Sequence, residues 1–284
     1  MVVARHAAST ENVEKLVETL DGILQRAFRR EPLTVLGLSM ATDKALILAR
    51  KRALLDPAVE TVESWYAWTA AMQASSAVFA AVGTGGSVVV RLGSAGVREV
   101  QAVRPDHYTD AGSWLDAFWL AVVCREARRL DLLASVPIPV LRESGAVFDD
   151  YIYSWVRALQ EFRSAGPELM GWLEEALEGA DPEVARIADR EILVKLLYPP
   201  IVAFFRLVQR DAEKFNEALL EAVRLHKEFW TADEERIDDS AGFVSLPLTA
   251  LASLAEDLGI PVKVESDYLP KRLVLGSWVG EFDT

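Results

Sequence analysis

The side chains that most often carry catalysis are few in this sequence and are spaced poorly for chemistry. The 284 residues contain three histidines, His6, His107 and His226, and one cysteine, Cys124. No His-x-x-x-His or His-Glu-x-x-His pair occurs, although zinc hydrolases use that spacing to place two ligands on one helix face. Cys124 has no neighbouring histidine, which disfavours a Cys–His nucleophile. We therefore predict no catalytic residues, no metal and no cofactor.

Each histidine also has a structural interpretation. His6 falls in a terminal segment that we expect to fray, and His107 follows a proline in a loop. His226 lies on the apolar side of a predicted helix, where a hydrogen-bonded core histidine is expected.

Paired carboxylates are the other candidates for chemistry. Adjacent helical residues point about 100° apart, so Asp149 and Asp150 cannot jointly chelate one ion. Either one suits the N-cap of the helix that follows, and the helix dipole favours both there. Glu234 and Glu235 fit a solvated face. An enzyme that combines carboxylates with a metal remains an alternative hypothesis.

The glycines at positions 83, 85 and 86 are similar to a phosphate-binding loop only in composition. Such a loop follows a strand and begins a helix, whose N-terminus holds the anion. Here a helical pattern precedes the glycines and a strand pattern follows them. The sequence therefore predicts a turn.

The elements that position these groups are predicted to be mainly helices. The first helix has an apolar stripe at helical spacing; its members are Val13, Leu16, Val17, Leu20, Ile23, Leu24 and Phe28. A second helix is expected to begin at Pro32 and to run to about Leu55, and Asp56-Pro57 is expected to open a third. Short links predict that the three helices pack as antiparallel neighbours.

A change of pattern at Gly83 predicts a β-hairpin within residues 87–103, with a turn at 93–96. Helical periodicity resumes near Thr109, and residues 136–139 read as an extended linker because two prolines interrupt the pattern. The predicted fold is mostly α, a multi-helix bundle-like single domain over residues 1–284. A division near residues 136–140 is the alternative.

The second half repeats the helical theme and ends with strand-like segments. We predict a helix with a proline break around residues 196–205, and further helices over 211–230 and 247–258. Residues 262–265 and 272–275 are rich in β-branched or apolar side chains, which predicts short C-terminal β segments.

The acidic charge is concentrated in two segments. Of the net charge of −13, residues 161–192 contribute 3 basic and 9 acidic side chains, and residues 231–284 contribute 4 and 11. Such a field repels nucleic acid and attracts a basic partner, although acidic surfaces also simply maintain solubility. The predicted partner-binding residues are an aromatic anchor and the acidic loop after it: Trp230, Asp233, Glu234, Glu235, Asp238 and Asp239.

Residues 241–255 and 259–270, and more weakly the helix over 150–160, resemble the immunity 49 family of bacterial polymorphic-toxin systems. The resemblance implies a mostly α-helical immunity protein, encoded beside a secreted toxin, that binds and occludes that toxin. It carries over no catalytic residue. Within this stretch we favour fold architecture over toxin contact, with Asp267 capping backbone amides in a turn and Tyr268 packed.

Charge and resemblance together predict a non-catalytic binding protein whose toxin is basic and nuclease-like. No apolar stretch reaches the roughly 20 residues of a membrane span, the N-terminus lacks a secretory signal, and a lone cysteine fits a reducing compartment, so we expect a cytoplasmic location. The alternative is a helical domain that binds a small molecule or regulates another protein, which a well-formed apolar cavity with convergent polar groups would favour.

Overall fold

The computed structural model describes residues 1–83 and 85–280 and consists mostly of helices. In chain order the helices are α1 Val13–Phe28, α2 Val35–Leu55, α3 Val62–Ala80, α4 Ala111–Val123, α5 Ala127–Ala134, α6 Ile138–Arg142, α7 Tyr151–Ser164, α8 Leu169–Gly179, α9 Arg190–Ile192, α10 Tyr198–Val208, α11 Ala212–Trp230, α12 Glu234–Ile237, α13 Leu246–Asp257 and α14 Lys271–Val274. Strands β1 Ser87–Arg91 and β2 Val97–Gln101 lie between α3 and α4. The predicted mostly α-helical fold with a hairpin is confirmed.

Helix α2 packs between α1 and α3, and α3 in turn packs against α4. The apolar stripe of α1 is buried at the five positions that recur every three or four residues, Val13, Val17, Leu20, Leu24 and Phe28. Helix α3 is buried on nearly every side because neighbours cover it on both faces. Its many alanines and serines allow those neighbours to approach closely.

Threonines, not prolines, mark the starts of the second and third helices. The hydroxyl of Thr34 accepts a hydrogen bond from the Gly37 amide at 3.1 Å, and Thr61 caps α3 in the same way. The expectation that Pro32 and Asp56-Pro57 begin these helices is therefore wrong by a few residues. The Asp56 carboxylate instead accepts the amides of Glu60 and Thr61, both at 2.9 Å, and so shapes the turn before α3.

The hairpin is antiparallel, with Ser87 opposite Gln101 and Arg91 opposite Val97. A short 3-10 turn, Gly93–Ala95, joins the strands. Val90 and Val100 point into the core, whereas Val89 is exposed, as the two-residue period of a strand requires.

The prolines near residue 138 do not produce the predicted extended linker. Helix α6 begins at Ile138, and Pro139 lies in its first turn, where a missing N–H costs nothing. The extended linker is therefore wrong for residues 138–139. The buried apolar side chains of both halves belong to one continuous core cluster.

The predicted proline break near residue 199 is also wrong. A π-helical turn, Leu193–Leu197, connects α9 directly to α10, and Pro199 and Pro200 follow it without interrupting the helix. Hydrogen bonds in the π-helical turn span one residue more than those of an α-helix, so the bonding pattern changes where this turn meets α10. Pro199 and Pro200, which have no N–H to donate, lie at this change. No helix within the described residues is long and apolar enough to cross a membrane.

The C-terminal segment returns to the N-terminus. The amide of Glu265 donates to the Met1 carbonyl at 2.8 Å, and the Glu265 carbonyl accepts from the Val3 amide at 3.0 Å. These two bonds form an isolated parallel β-bridge between Val2 and Glu265. Of the two predicted C-terminal β segments, the one over residues 262–265 forms this single bridge and no longer strand. Residues 272–275 are not a strand, because α14 begins directly after Pro270.

Candidate functional site

The acidic loop after α11 is built around its own carboxylates. Asp233 accepts the Arg236 amide at 2.9 Å and caps α12, and Asp239 accepts the Ala241 amide at 2.8 Å in the next turn. Asp238 accepts the Ser9 amide at 3.3 Å, and its carbonyl accepts from Lys51 at 3.1 Å. These three predicted binding residues therefore also hold the loop in place.

Glu234 and Glu235 differ from those three. Both are exposed in the first turn of α12, and neither forms an ion pair within the described part of the chain. Their charges are directed to solvent and are available to a partner.

The structure places Glu191, at the end of the first acidic segment, against the second segment. Arg236 pairs with Glu191 at 3.0 Å and with Asp233 at 3.0 Å, while Lys195 pairs with Glu191 at 3.0 Å and with Glu228 at 2.9 Å. Hydrogen bonds from Lys195 and Arg236 lower the pKa of Glu191, which keeps it ionised. We call the five carboxylates of this network and the adjoining turn the acidic face; they are Glu191, Glu228, Asp233, Glu234 and Glu235. Two cations contact this face, so it stays negative.

Trp230, the predicted aromatic anchor, is largely occupied inside the protein. Its ring lies against Gly242 and beside His226 and Phe229, with ring centroids 6.1 and 5.0 Å away. The indole Nε1 is buried and has no hydrogen-bond partner among the described residues. Trp230 therefore supports the acidic loop from beneath.

Asp149 and Asp150 do not cap α7 as predicted. Asp150 stands at the N-cap position, but its carboxylate pairs with Arg142 at 2.7 Å. The Asp149 carboxylate accepts the amides of Arg186, Ile187 and Ala188 at 2.7, 3.0 and 2.9 Å. These bonds lower the Asp149 pKa although partial burial opposes them. Asp149 thus fixes the loop between α8 and α9 by accepting three amides that have no backbone acceptor within the described residues.

In the C-terminal turn, the packing of Tyr268 is confirmed and the capping by Asp267 is wrong. Tyr268 is fully buried, whereas Asp267 is exposed, and the hydroxyl of Ser266 accepts the Tyr268 amide at 3.2 Å. His6 is not frayed: its ring is buried against Tyr268. The sequence offered no local sign of this contact, because the two residues lie at opposite ends of the chain.

An aromatic cavity of about 330 Å³, between α4, α7, α10 and the loop that Asp149 holds, was not predicted. Its walls include Trp119, Tyr151 and Trp155, and Asp116 of α4 borders it. The one available signal was Asp116 itself, a charged residue within an otherwise apolar helix.

The residues considered for catalysis are placed apart. His226 is buried and its Nε2 lies 3.1 Å from the Gly242 carbonyl, as expected for a core histidine. Cys124 is buried, and burial raises the pKa of its thiol, so the thiolate form is disfavoured. No cluster of three or more possible metal ligands occurs within residues 1–83 and 85–280.

A family model described as Immunity protein 49 matches residues 56–273, which include every element from α3 to the start of α14, the first acidic segment and most of the second. No curated protein and no solved structure matches the chain. The resemblance predicted from the C-terminal residues is thereby confirmed. Since the match covers far more than half of the sequence, the chain belongs to the Immunity protein 49 family.

Proposed function

We propose that this protein neutralises a protein toxin by binding it and covering its active surface, and that the acidic face is the main contact. The observation that carries the proposal is the Glu191–Arg236 ion pair, which places Glu191, at the end of the first acidic segment, beside the carboxylates of the second. The family is one of immunity proteins, which implies a toxin as partner.

The charge of this surface defines the partner that it fits. Five carboxylates against two cations attract a basic surface, and nuclease-like toxins carry such surfaces because they bind phosphates. Glu234 and Glu235 make the direct contacts, while Trp230, Asp233, Asp238 and Asp239 shape and position their loop. Association is then steered by charge, so its rate falls as salt screens the interaction.

The test uses the toxin encoded beside this chain, in a catalytically inactive form, with association rates measured at about 50 and 300 mM salt by stopped flow. We expect the wild-type rate to fall about tenfold or more at the higher salt. The double variant E234Q/E235Q should associate several-fold more slowly at low salt and show a weaker salt dependence.

The matched control is E213Q/E217Q, which removes two exposed carboxylates of α11 and so changes the net charge by the same amount. Glu213 and Glu217 lie about 22 and 17 Å along the helix from Glu228, beyond the screening length of the buffer. This control should keep most of the wild-type rate. Salt-insensitive association, or equal rates for both double variants, would contradict the role of the acidic face.

Binding of a small molecule is the second candidate function. A cavity of about 680 Å³ with a mixed apolar and polar lining lies beneath the hairpin turn, between α1, α2 and α3, and both Arg52 and Glu63 border it. Its volume is within the range of ligand sites. A protein that binds no toxin but purifies with a metabolite there would favour this function.

A further inference from the structure

The aromatic cavity between α4, α7 and α10 is preformed. Asp149 fixes one wall through the amides of residues 186–188, and Pro200 and Pro247 stiffen the opposite side. A cavity of about 330 Å³ is at the small end of ligand sites, so it fits one long side chain better than a large molecule. The site therefore needs little rearrangement to receive a guest.

Asp116 places an ionisable carboxyl at this largely apolar cavity. Its side chain is partly buried, and it has neither a hydrogen bond nor an ion pair within the described residues. Burial raises the pKa of Asp116; the Arg50 guanidinium opposes this effect, and Asp110 and Asp43 add to it. A raised pKa favours the neutral form of this carboxyl, and a cation that enters the cavity would favour its ionised form.

A cationic group would relieve this arrangement in two ways. It would pair with the Asp116 carboxylate, which is costly to keep partly buried without a partner. It would also lie beside the aromatic rings of Trp119 and Trp155, which line the cavity. A guanidinium suits both contacts better than an ammonium, because it is planar and more weakly hydrated.

The cavity and the acidic face are connected by one short segment of chain. Ala188 lines the cavity, Asp189 caps α9, and Glu191 of α9 belongs to the acidic face, so one short segment connects the two. A basic partner seated on the acidic face therefore has the cavity within reach.

Resting on the proposed function, we propose that the aromatic cavity receives an arginine side chain of the toxin, with Asp116 as its counter-ion. The acidic face then accelerates encounter, and the buried arginine slows dissociation, as desolvated central contacts do in other interfaces.

The first test compares D116N with the control D131N. Asp131 is an exposed residue of α5 that pairs with Arg163. D116N should raise the dissociation rate of the inactive toxin by about tenfold or more, with little change in the association rate. D131N should leave both rates near wild type. A188L narrows the cavity without changing charge and should act like D116N; thermal unfolding confirms that each variant folds.

The second test needs no toxin. N-acetyl-arginine amide should change the tryptophan fluorescence saturably, whereas the uncharged isostere N-acetyl-citrulline amide should not, and D116N should abolish the response. If the wild-type protein binds N-acetyl-arginine amide but no toxin, the proposed function is wrong, whereas the cavity is still a site for a cation. If D116N and A188L bind the toxin like wild type, and the two probes give the same response, the arginine site is wrong and the proposed function still stands. An apolar small molecule that co-purifies in the cavity would also overturn it.

Discussion

The phenolic hydroxyl of Tyr268 lies 2.7 Å from Nδ1 of His6 and accepts the His6 backbone amide at 3.1 Å, although 262 residues separate the two. The other ring nitrogen, Nε2, donates to the Ile237 carbonyl at 3.0 Å. Burial lowers the pKa of His6, which favours the neutral ring in which Nδ1 accepts the tyrosine proton. The N-terminal segment therefore holds α12, and with it the acidic face, against the C-terminal turn.

Removing this hydroxyl tests how much the junction contributes. Y268F leaves the buried amide and Nδ1 of His6 without a partner, so we expect a loss of about 1–3 kcal/mol in the free energy of unfolding. Urea unfolding measures it. Y153F is the control, since the Tyr153 hydroxyl has no hydrogen-bond partner within the described residues, and it should change stability by less than about 0.5 kcal/mol. Equal losses would refute the importance of the junction.

Neutralising Asp149 should loosen the loop before α9. D149N weakens three charge-assisted bonds to residues 186–188, and Arg186 and Arg190 within and beside that loop are exposed to trypsin. We expect cleavage there to accelerate several-fold in timed digestion. D150N removes only an exposed pair with Arg142 and should digest like wild type. Unchanged digestion of D149N would show that the loop is held by other contacts.

The buried His226 should make stability fall in mild acid. Burial lowers the pKa of His226 to about 3, against about 6.5 in an unfolded chain. Below pH 6.5 the unfolded state therefore binds a proton that the folded state does not, and stability is lost as the pH falls. Between pH 7.5 and 5.5 the wild type should lose about 1.4 kcal/mol more than H226Q in urea unfolding.

The titration of His6 does not affect the comparison between wild type and H226Q. Burial also lowers the pKa of His6, so it contributes in the same direction, but it is present in both proteins and cancels. Parallel stability curves for wild type and H226Q would mean that His226 is not buried in the neutral form.

Gly242 is required by the close approach of Trp230. A Cβ at this position would lie 2.8 Å from the indole ring, so G242A should displace Trp230 and destabilise the protein by about 1–3 kcal/mol. At Gly171 of α8 an added Cβ meets nothing within 4 Å, and G171A should be neutral or stabilising by up to about 1 kcal/mol. Tryptophan fluorescence should shift in G242A only. A stable G242A with an unchanged spectrum would contradict the packing.

The features that local pattern specifies were predictable from the sequence. The apolar stripes of α1 and α11 identify these helices, because side-chain periodicity follows directly from backbone geometry, and the short β-branched run Val88–Val90 identifies the first strand. The family resemblance was readable from the C-terminal residues for the same reason, since it needs only adjacent positions.

Tertiary structure alone decided what the polar groups do. Asp149 could have capped its own helix, but the unpaired amides of residues 186–188 compete for it and win. Residues 272–275 have strand composition, yet the Arg272 amide bonds the Ala58 carbonyl and Leu273 is buried, which fixes a helical turn. The cavity beside Asp116 and the Glu191–Arg236 pair likewise join residues far apart in the chain. Hydrogen bonds and charges act through space, so their partners are set by packing and not by sequence spacing.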